Sequence, residues 1–141
     1  MKPVPRNDHT AFEVSDIDES IRFYTEKLRL NLLFSKIDLA GGEAFAFLEL
    51  EGGSLELIQM LDRTAFARRE LHPPYCPHLA LRTEDLEATL HLASDAGIPL
   101  VSGPHEIPGE VRWVYLADPD NNVIEFIQWI KNLEESNPKD F

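Results

Sequence analysis

The sequence predicts an α+β fold of two βαβββ modules related by a pseudo-twofold, their sheets together forming a cup. Three observations predict it. His9, Ala11, Asp16, Glu56, Ile58 and Gln59 recur as His78, Ala80, Asp85, Glu125, Ile127 and Gln128 in one ungapped register with a constant offset of 69. In each copy a short period-2 segment is followed by a helical pattern and then by further strand-like segments. Each copy also closes on a strand with a carboxylate inside an apolar run: Leu55-Glu56-Leu57-Ile58 and Val123-Ile124-Glu125-Phe126-Ile127. Such a repeat implies two copies of one supersecondary unit, each leaving a sheet face for the other to cover.

The first module is expected over residues 8–60. Asp8 to Val14 alternates as a strand, with Thr10, Phe12 and Val14 on the face that packs on a helix. Asp16 and Glu19 form a capping-box pattern ahead of Ile17, Ile21, Tyr24 and Leu28, so that helix should end near Leu28 to Leu30. Strands follow at Leu32–Lys36, Glu43–Glu49 and Ser54–Met60, punctuated by Gly41-Gly42 and Gly52-Gly53. Residues 61–76 interrupt the pattern with a basic segment of helical character ending in Pro73-Pro74, read as a linker. Its Arg63, Arg68 and Arg69 make either a solvated face or a cation over the cup mouth.

The second module is expected over residues 77–130. His78–Thr83 is its first strand, and Asp85 opens a helix that turns Leu86, Leu90 and Ala93 inward and ends at Gly97. Residues 103–109 read as a Pro- and Gly-bearing loop, with His105 and Arg112 placed to act at a lid. Val111–Ala117, the turn Asp118-Pro119-Asp120-Asn121-Asn122 and the closing strand complete the module; residues 131–141 are a peripheral tail.

Composition narrows the function. Against 25 Asp and Glu there are 13 Lys and Arg, a net charge of −12 that repels nucleic-acid phosphates and anionic membranes. No apolar run approaches the roughly 20 residues of a membrane span. Cys76 is the sole cysteine, excluding an internal disulfide, and Met1-Lys2-Pro3-Val4-Pro5 lacks the apolar core of a signal peptide; a cytoplasmic location is expected. With no base beside it in sequence, Cys76 reads as structural.

Strand alternation assigns His9, Ala11 and Glu13, then Ser54, Glu56 and Ile58, to the cup face, together with His78, Ala80 and Arg82, then Val123, Glu125, Ile127 and Trp129. A lone strand histidine is more often a hydrogen-bonded core residue than a ligand. Four residues at equivalent places of a repeat argue otherwise, since a core has no need for two buried carboxylates. His9, Glu56, His78 and Glu125 form a set of two nitrogen and two carboxylate donors suited to one divalent ion, Ni, Co or Zn, with Fe or Mn also compatible.

Here the chain resembles the vicinal oxygen chelate superfamily, and within it glyoxalase I. The resemblance rests on His9-Thr10-Ala11-Phe12, Ile21-Arg22-Phe23-Tyr24, Leu55-Glu56-Leu57, His78-Leu79-Ala80-Leu81 and Asp118-Pro119-Asp120-Asn121-Asn122-Val123-Ile124-Glu125. It covers residues 8–130 and implies the vicinal oxygen chelate fold, a small-molecule substrate and a homodimer. The superfamily also holds extradiol dioxygenases, fosfomycin-resistance transferases, methylmalonyl-CoA epimerases and metal-free bleomycin-binding proteins, which stand as alternatives. Dioxygenases and fosfomycin enzymes use three protein ligands, and the epimerases typically have Gln where this chain has Glu56. Glyoxalase I uses a carboxylate in each half, as Glu56 and Glu125 would provide.

That resemblance implies a lyase or isomerase reaction in which two adjacent substrate oxygens chelate the metal and a proton moves through an enediolate. Glu125 would be the base and Glu56 would return the proton, or the two would exchange roles. Where glyoxalase I contacts glutathione through an Arg and an Asn, this chain has Glu13 and Met60, so the glutathione contacts do not carry over. Arg82 occupies in the second half the place of Glu13 in the first; it either receives a substrate anion or pairs with Glu13. Trp129, Met60 and Arg112 complete the expected substrate contacts.

Overall fold

The computed structural model describes residues 1–62 and 65–132. Arg63 and the tail beyond Asn132, both read above from sequence, lie outside the described residues. Two compact units divide between Arg69 and Glu70, and each is a βαβββ module.

In the first unit β1 (His9–Glu13) leads into α1 (Ile17–Arg22), a π-helical turn (Phe23–Lys27), and then β2 (Leu32–Asp38), β3 (Glu43–Leu50) and β4 (Gly53–Met60). The sheet order is β1-β4-β3-β2, with β1 parallel to β4 and the other pairs antiparallel. Burial alternates as the sequence predicts: Phe12, Ala44, Ala46, Leu48, Leu55 and Leu57 are buried on the helix side. The helix differs in register. Its last turn widens so that Leu28 N–H bonds to Phe23 C=O, and Phe23 and Tyr24 are both buried, while Ile17 and Ile21 are only half-buried.

The second unit repeats the order with β5 (His78–Arg82), α2 (Leu86–Asp95), β6 (Leu100–Ile107), β7 (Val111–Ala117) and β8 (Val123–Trp129). Its sheet order is β5-β8-β7-β6, again with the first and last strands parallel. Leu86, Val114, Leu116 and Ile124 are buried on the helix side. Gly97 at φ +69 ends α2 in the left-handed conformation that a side chain would disfavour.

Two expectations are corrected. The segment expected as a loop at 103–109 is mostly strand, because β6 runs through Gly103-Pro104 with its irregularities absorbed between Leu100 and Ser102 and between Ser102 and His105. The helical character expected within 61–76 is absent among the described residues, which form turns and irregular chain.

The repeated glutamines prove to be helix caps. Gln59 Oε1 accepts from Ile17 N at 2.9 Å, and Gln128 Oε1 accepts from Leu86 N at 3.0 Å. Each complements an Asp N-cap: Asp16 accepts from Asp18 N and Glu19 N, and Asp85 accepts from Ala88 N. Asp118 fixes the entry to β8, its carboxylate accepting from Asp120 N, Asn122 N and Asn122 Nδ2 at 2.8–2.9 Å. Replacing Gln59 or Gln128 by Ala should cost about 1 kcal/mol each, read by urea denaturation, with metal uptake unchanged. Unaltered stability, or lost metal, would contradict the capping assignment.

Candidate metal centre

Parallel pairing of first and last strands builds the site. On β1 and β4, His9 pairs with Ser54 and Ala11 with Glu56; on β5 and β8, His78 pairs with Val123 and Ala80 with Glu125. Each histidine therefore sits one diagonal step from its glutamate on the same sheet face, opposite the helix.

The contacts realise that register. His9 Nε2 lies 3.3 Å from Glu56 Oε1, and His78 Nε2 lies 3.4 Å from Glu125 Oε2. Two ligands of a tetrahedral ion, each about 2.0–2.2 Å from it, stand roughly 3.3 Å apart, so both pairs are spaced as neighbouring ligands. Glu125 is buried and Glu56 half-buried.

The other ring nitrogen of each histidine is also held. His9 Nδ1 meets Asp8 Oδ2 at 2.5 Å, and His78 Nδ1 meets the Tyr75 carbonyl at 3.2 Å. An acceptor on Nδ1 favours a proton there, so that in the neutral ring Nε2 is the nitrogen open to a metal, the arrangement metal-binding imidazoles use. Without metal, the Asp8 hydrogen bond raises His9 above its usual 6.5; burial opposes this and the charge of Glu56 adds to it. The donor set, its spacing and its tautomers fit a divalent first-row ion.

The four residues expected as ligands lie as two His–Glu pairs, one in each unit. Among the described residues no group of three or more His, Cys, Asp or Glu converges as a metal site. Of the expected substrate contacts, Arg82 shares the open face with Glu125 by alternation and pairs with Glu84 at 3.4 Å, both side chains well exposed. Trp129 is half-buried on β8, in register with Val111. Met60 lines a cavity of about 60 Å³ with Glu13, Gln59 and Phe66.

Arg112 is a correction. It lies between the open-face residues Val111 and Trp113, so alternation turns it to the helix side, where Nη2 bonds Glu87 of α2 at 2.8 Å. Burial modifies another expectation: Cys76 is exposed and free, its Sγ 3.9 Å from His78 Nδ1, so it is not a core residue.

Two aromatic neighbours went unread in the sequence. Phe47 is the cross-strand partner of Glu56, and its ring stands edge-on to His9 at 5.3 Å; Tyr115 partners Glu125 and stands edge-on to His78 at 5.4 Å. They are separated by 68 positions where every other matched pair is separated by 69, so the ungapped register misses them. The hairpin leading to Glu125 is one residue longer.

Two βαβββ modules, each bearing a His–Glu pair on its open face, define the fold class. The sequence pattern of the Glyoxalase/Bleomycin resistance protein/Dioxygenase superfamily matches residues 6–126, and the chain belongs to that superfamily. It is 33% identical over 127 residues to the uncharacterized protein YwbC of Bacillus subtilis, covering 87% of this chain and 97% of YwbC. It is 31% identical over 123 residues to a lactoylglutathione lyase of Haemophilus influenzae, covering 85% of this chain and 90% of that one. Among solved structures, TnmS3, an antibiotic-binding protein from Streptomyces sp. CB03234, has the same fold, with a TM-score of 0.70, 23% identity and coverage of 92% of this chain and 99% of its own.

The Asp8 contact makes a direct prediction for the metal-free protein. In a histidine-detected NMR titration, His9 should titrate above 6.5 and move down in Asp8→Ala. An identical midpoint in the two proteins would show that Asp8 does not hold the ring.

Proposed function

We propose that this protein is a metal-dependent, glyoxalase-I-like lyase or isomerase that moves a proton on a small substrate bearing two adjacent oxygens. One observation supports it above the others: two glutamates sit beside two histidines whose outer nitrogens are already fixed by acceptors. A single pair supplies two ligands where a catalytic site needs three or four, so two pairs, from one chain or from two copies, complete each site. When bound, the ion supplies Lewis acidity toward oxygens on the reacting carbon atoms.

The proton is then the work of the carboxylates. Glu125 is our choice for the group that takes the proton from carbon, and Glu56 for the group that returns it. Their surroundings differ in a way that favours separate roles. Glu125 faces the phenol of Tyr115, whose pKa is raised by burial first and by the charge of Glu125 second, so the hydroxyl stays protonated. Glu56 faces the apolar ring of Phe47. Arg82, on the open face beside Ile127, is the cation we assign to an anionic group of the substrate. Glu13 and Met60 stand where glyoxalase I has glutathione contacts, so a thiol other than glutathione, or none, is the partner we assign.

A non-catalytic binding role would keep the fold and leave the carboxylates without a proton to move. Elemental analysis of protein loaded with Ni, Co or Zn should give about one ion per chain, falling in His9→Ala and in His78→Ala. On hemithioacetals of methylglyoxal with a panel of thiols, Glu125→Gln should lower kcat at least about 100-fold, the lower range for losing an acid–base group, while keeping most of the metal. Metal-loaded protein inactive on every hemithioacetal would favour the binding role. A large loss at Glu56→Gln with none at Glu125→Gln would reverse the two assignments.

A further inference from the structure

The second module carries a cavity that the metal reading leaves unused. It is a wide-mouthed hollow of about 270 Å³ lined by Tyr75, Trp113 and Tyr115 together with Pro73-Pro74. Two of these residues belong equally to the metal pair: the Tyr75 carbonyl holds His78 Nδ1, and the Tyr115 ring stands against His78. The cavity therefore opens directly beside His78 and Glu125.

Its remaining wall is set by the irregularity in β6. Ser102 pairs with Tyr115 and His105 with Trp113, so three steps along β6 match two along β7 and the extra residue re-aims His105. Ser102 Oγ and His105 Nε2 are 2.7 Å apart, and the His105 ring lies tilted on Trp113 at 5.3 Å. Gly103 makes this possible. At φ +102, a Cβ there would come within 3.1 Å of His105 and 3.2 Å of the Trp113 carbonyl oxygen. A side chain at 103 would displace the histidine that shapes the cavity.

The chemistry of the lining selects its occupant. It contains neither a carboxylate nor a Lys or Arg, and its one basic ring, His105, is engaged by Ser102 Oγ. Aromatic rings on several sides favour a flat π system, stacked or edge-on. The volume falls just below the roughly 300–1,000 Å³ of drug-sized pockets and suits one ring-sized substituent rather than a whole cofactor. At the matching place of the first module, Phe34 stacks on Phe47 at 5.1 Å and Phe45 stands edge-on to both.

We infer that the Tyr75–Trp113–Tyr115 cavity is a substituent subsite, and that the substrate carries an uncharged planar aryl or conjugated group next to its two chelating oxygens. This rests on the metal reading above for the position of the oxygens, and on the cavity alone for the substituent.

Two hydroxamates with one chelating head test it. Benzohydroxamate should bind Ni-loaded protein about tenfold tighter than acetohydroxamate by calorimetry, in line with the worth of an aromatic contact. Trp113→Leu should reduce that preference to about twofold and leave acetohydroxamate affinity unaltered. Equal binding of the two hydroxamates by the wild-type protein would overturn the subsite and leave the metal reading standing. Benzamide, added to metal-free protein, separates the opposite case: with neither hydroxamate bound, shifted Trp113 and His105 NMR signals would retain the subsite and reject the metal reading. Unshifted signals would then reject both.

Discussion

Everything at the candidate site depends on parallel pairing between the first and last strands of each module. That pairing makes a histidine near the start of a module and a glutamate nearly fifty residues later into neighbours on one face. It also divides labour along the closing strand. Glu56 and Gln59, like Glu125 and Gln128, are an odd number of residues apart, so alternation sends the glutamate to the open face and the glutamine to the helix. The glutamine then caps the helix that covers the sheet carrying its own glutamate. Helix placement and ligand placement are thus fixed by the same strand, and a slip of one residue would lose both.

The two modules use this frame unequally. Residue 8 is Asp and meets His9 Nδ1 with a carboxylate; its counterpart Pro77 has no such group, and the Tyr75 carbonyl takes over for His78. Beside the glutamates, Phe47 belongs to a packed phenylalanine cluster, whereas Tyr115 borders open space. Beside Glu56 the first module sets its own phenylalanine rings, and beside Glu125 the second leaves room for a ligand.

Much of this was legible in the sequence because the repeat is ungapped over the residues that matter. The order of elements along the chain, the helix side of Phe12, Leu55 and Leu57, and the choice of His9, Glu56, His78 and Glu125 as candidate ligands all follow from period-2 alternation and one offset. What escaped did so for physical reasons. Phe47 and Tyr115 were hidden by a one-residue difference in hairpin length. Residues 103–109 read as loop because Gly and Pro are strand breakers in general, yet a bulged edge strand tolerates both. Arg112 was misplaced although the strand bounds Val111–Ala117 were read as the structure has them; strand parity with the open-face Trp113 and Tyr115 sends Arg112 to Glu87. The wider last turn of α1 has no local signal in its sequence, and packing against the sheet decides which rings enter the core.

The central claim is that two His–Glu pairs serve one ion. X-ray absorption at the metal edge of the loaded full-length protein measures this most directly. The account predicts a nitrogen and oxygen shell with two imidazoles per metal, reduced to one in His9→Ala and likewise in His78→Ala. A shell with one imidazole in the wild-type protein, or one that is unaltered when either histidine is removed, would contradict it.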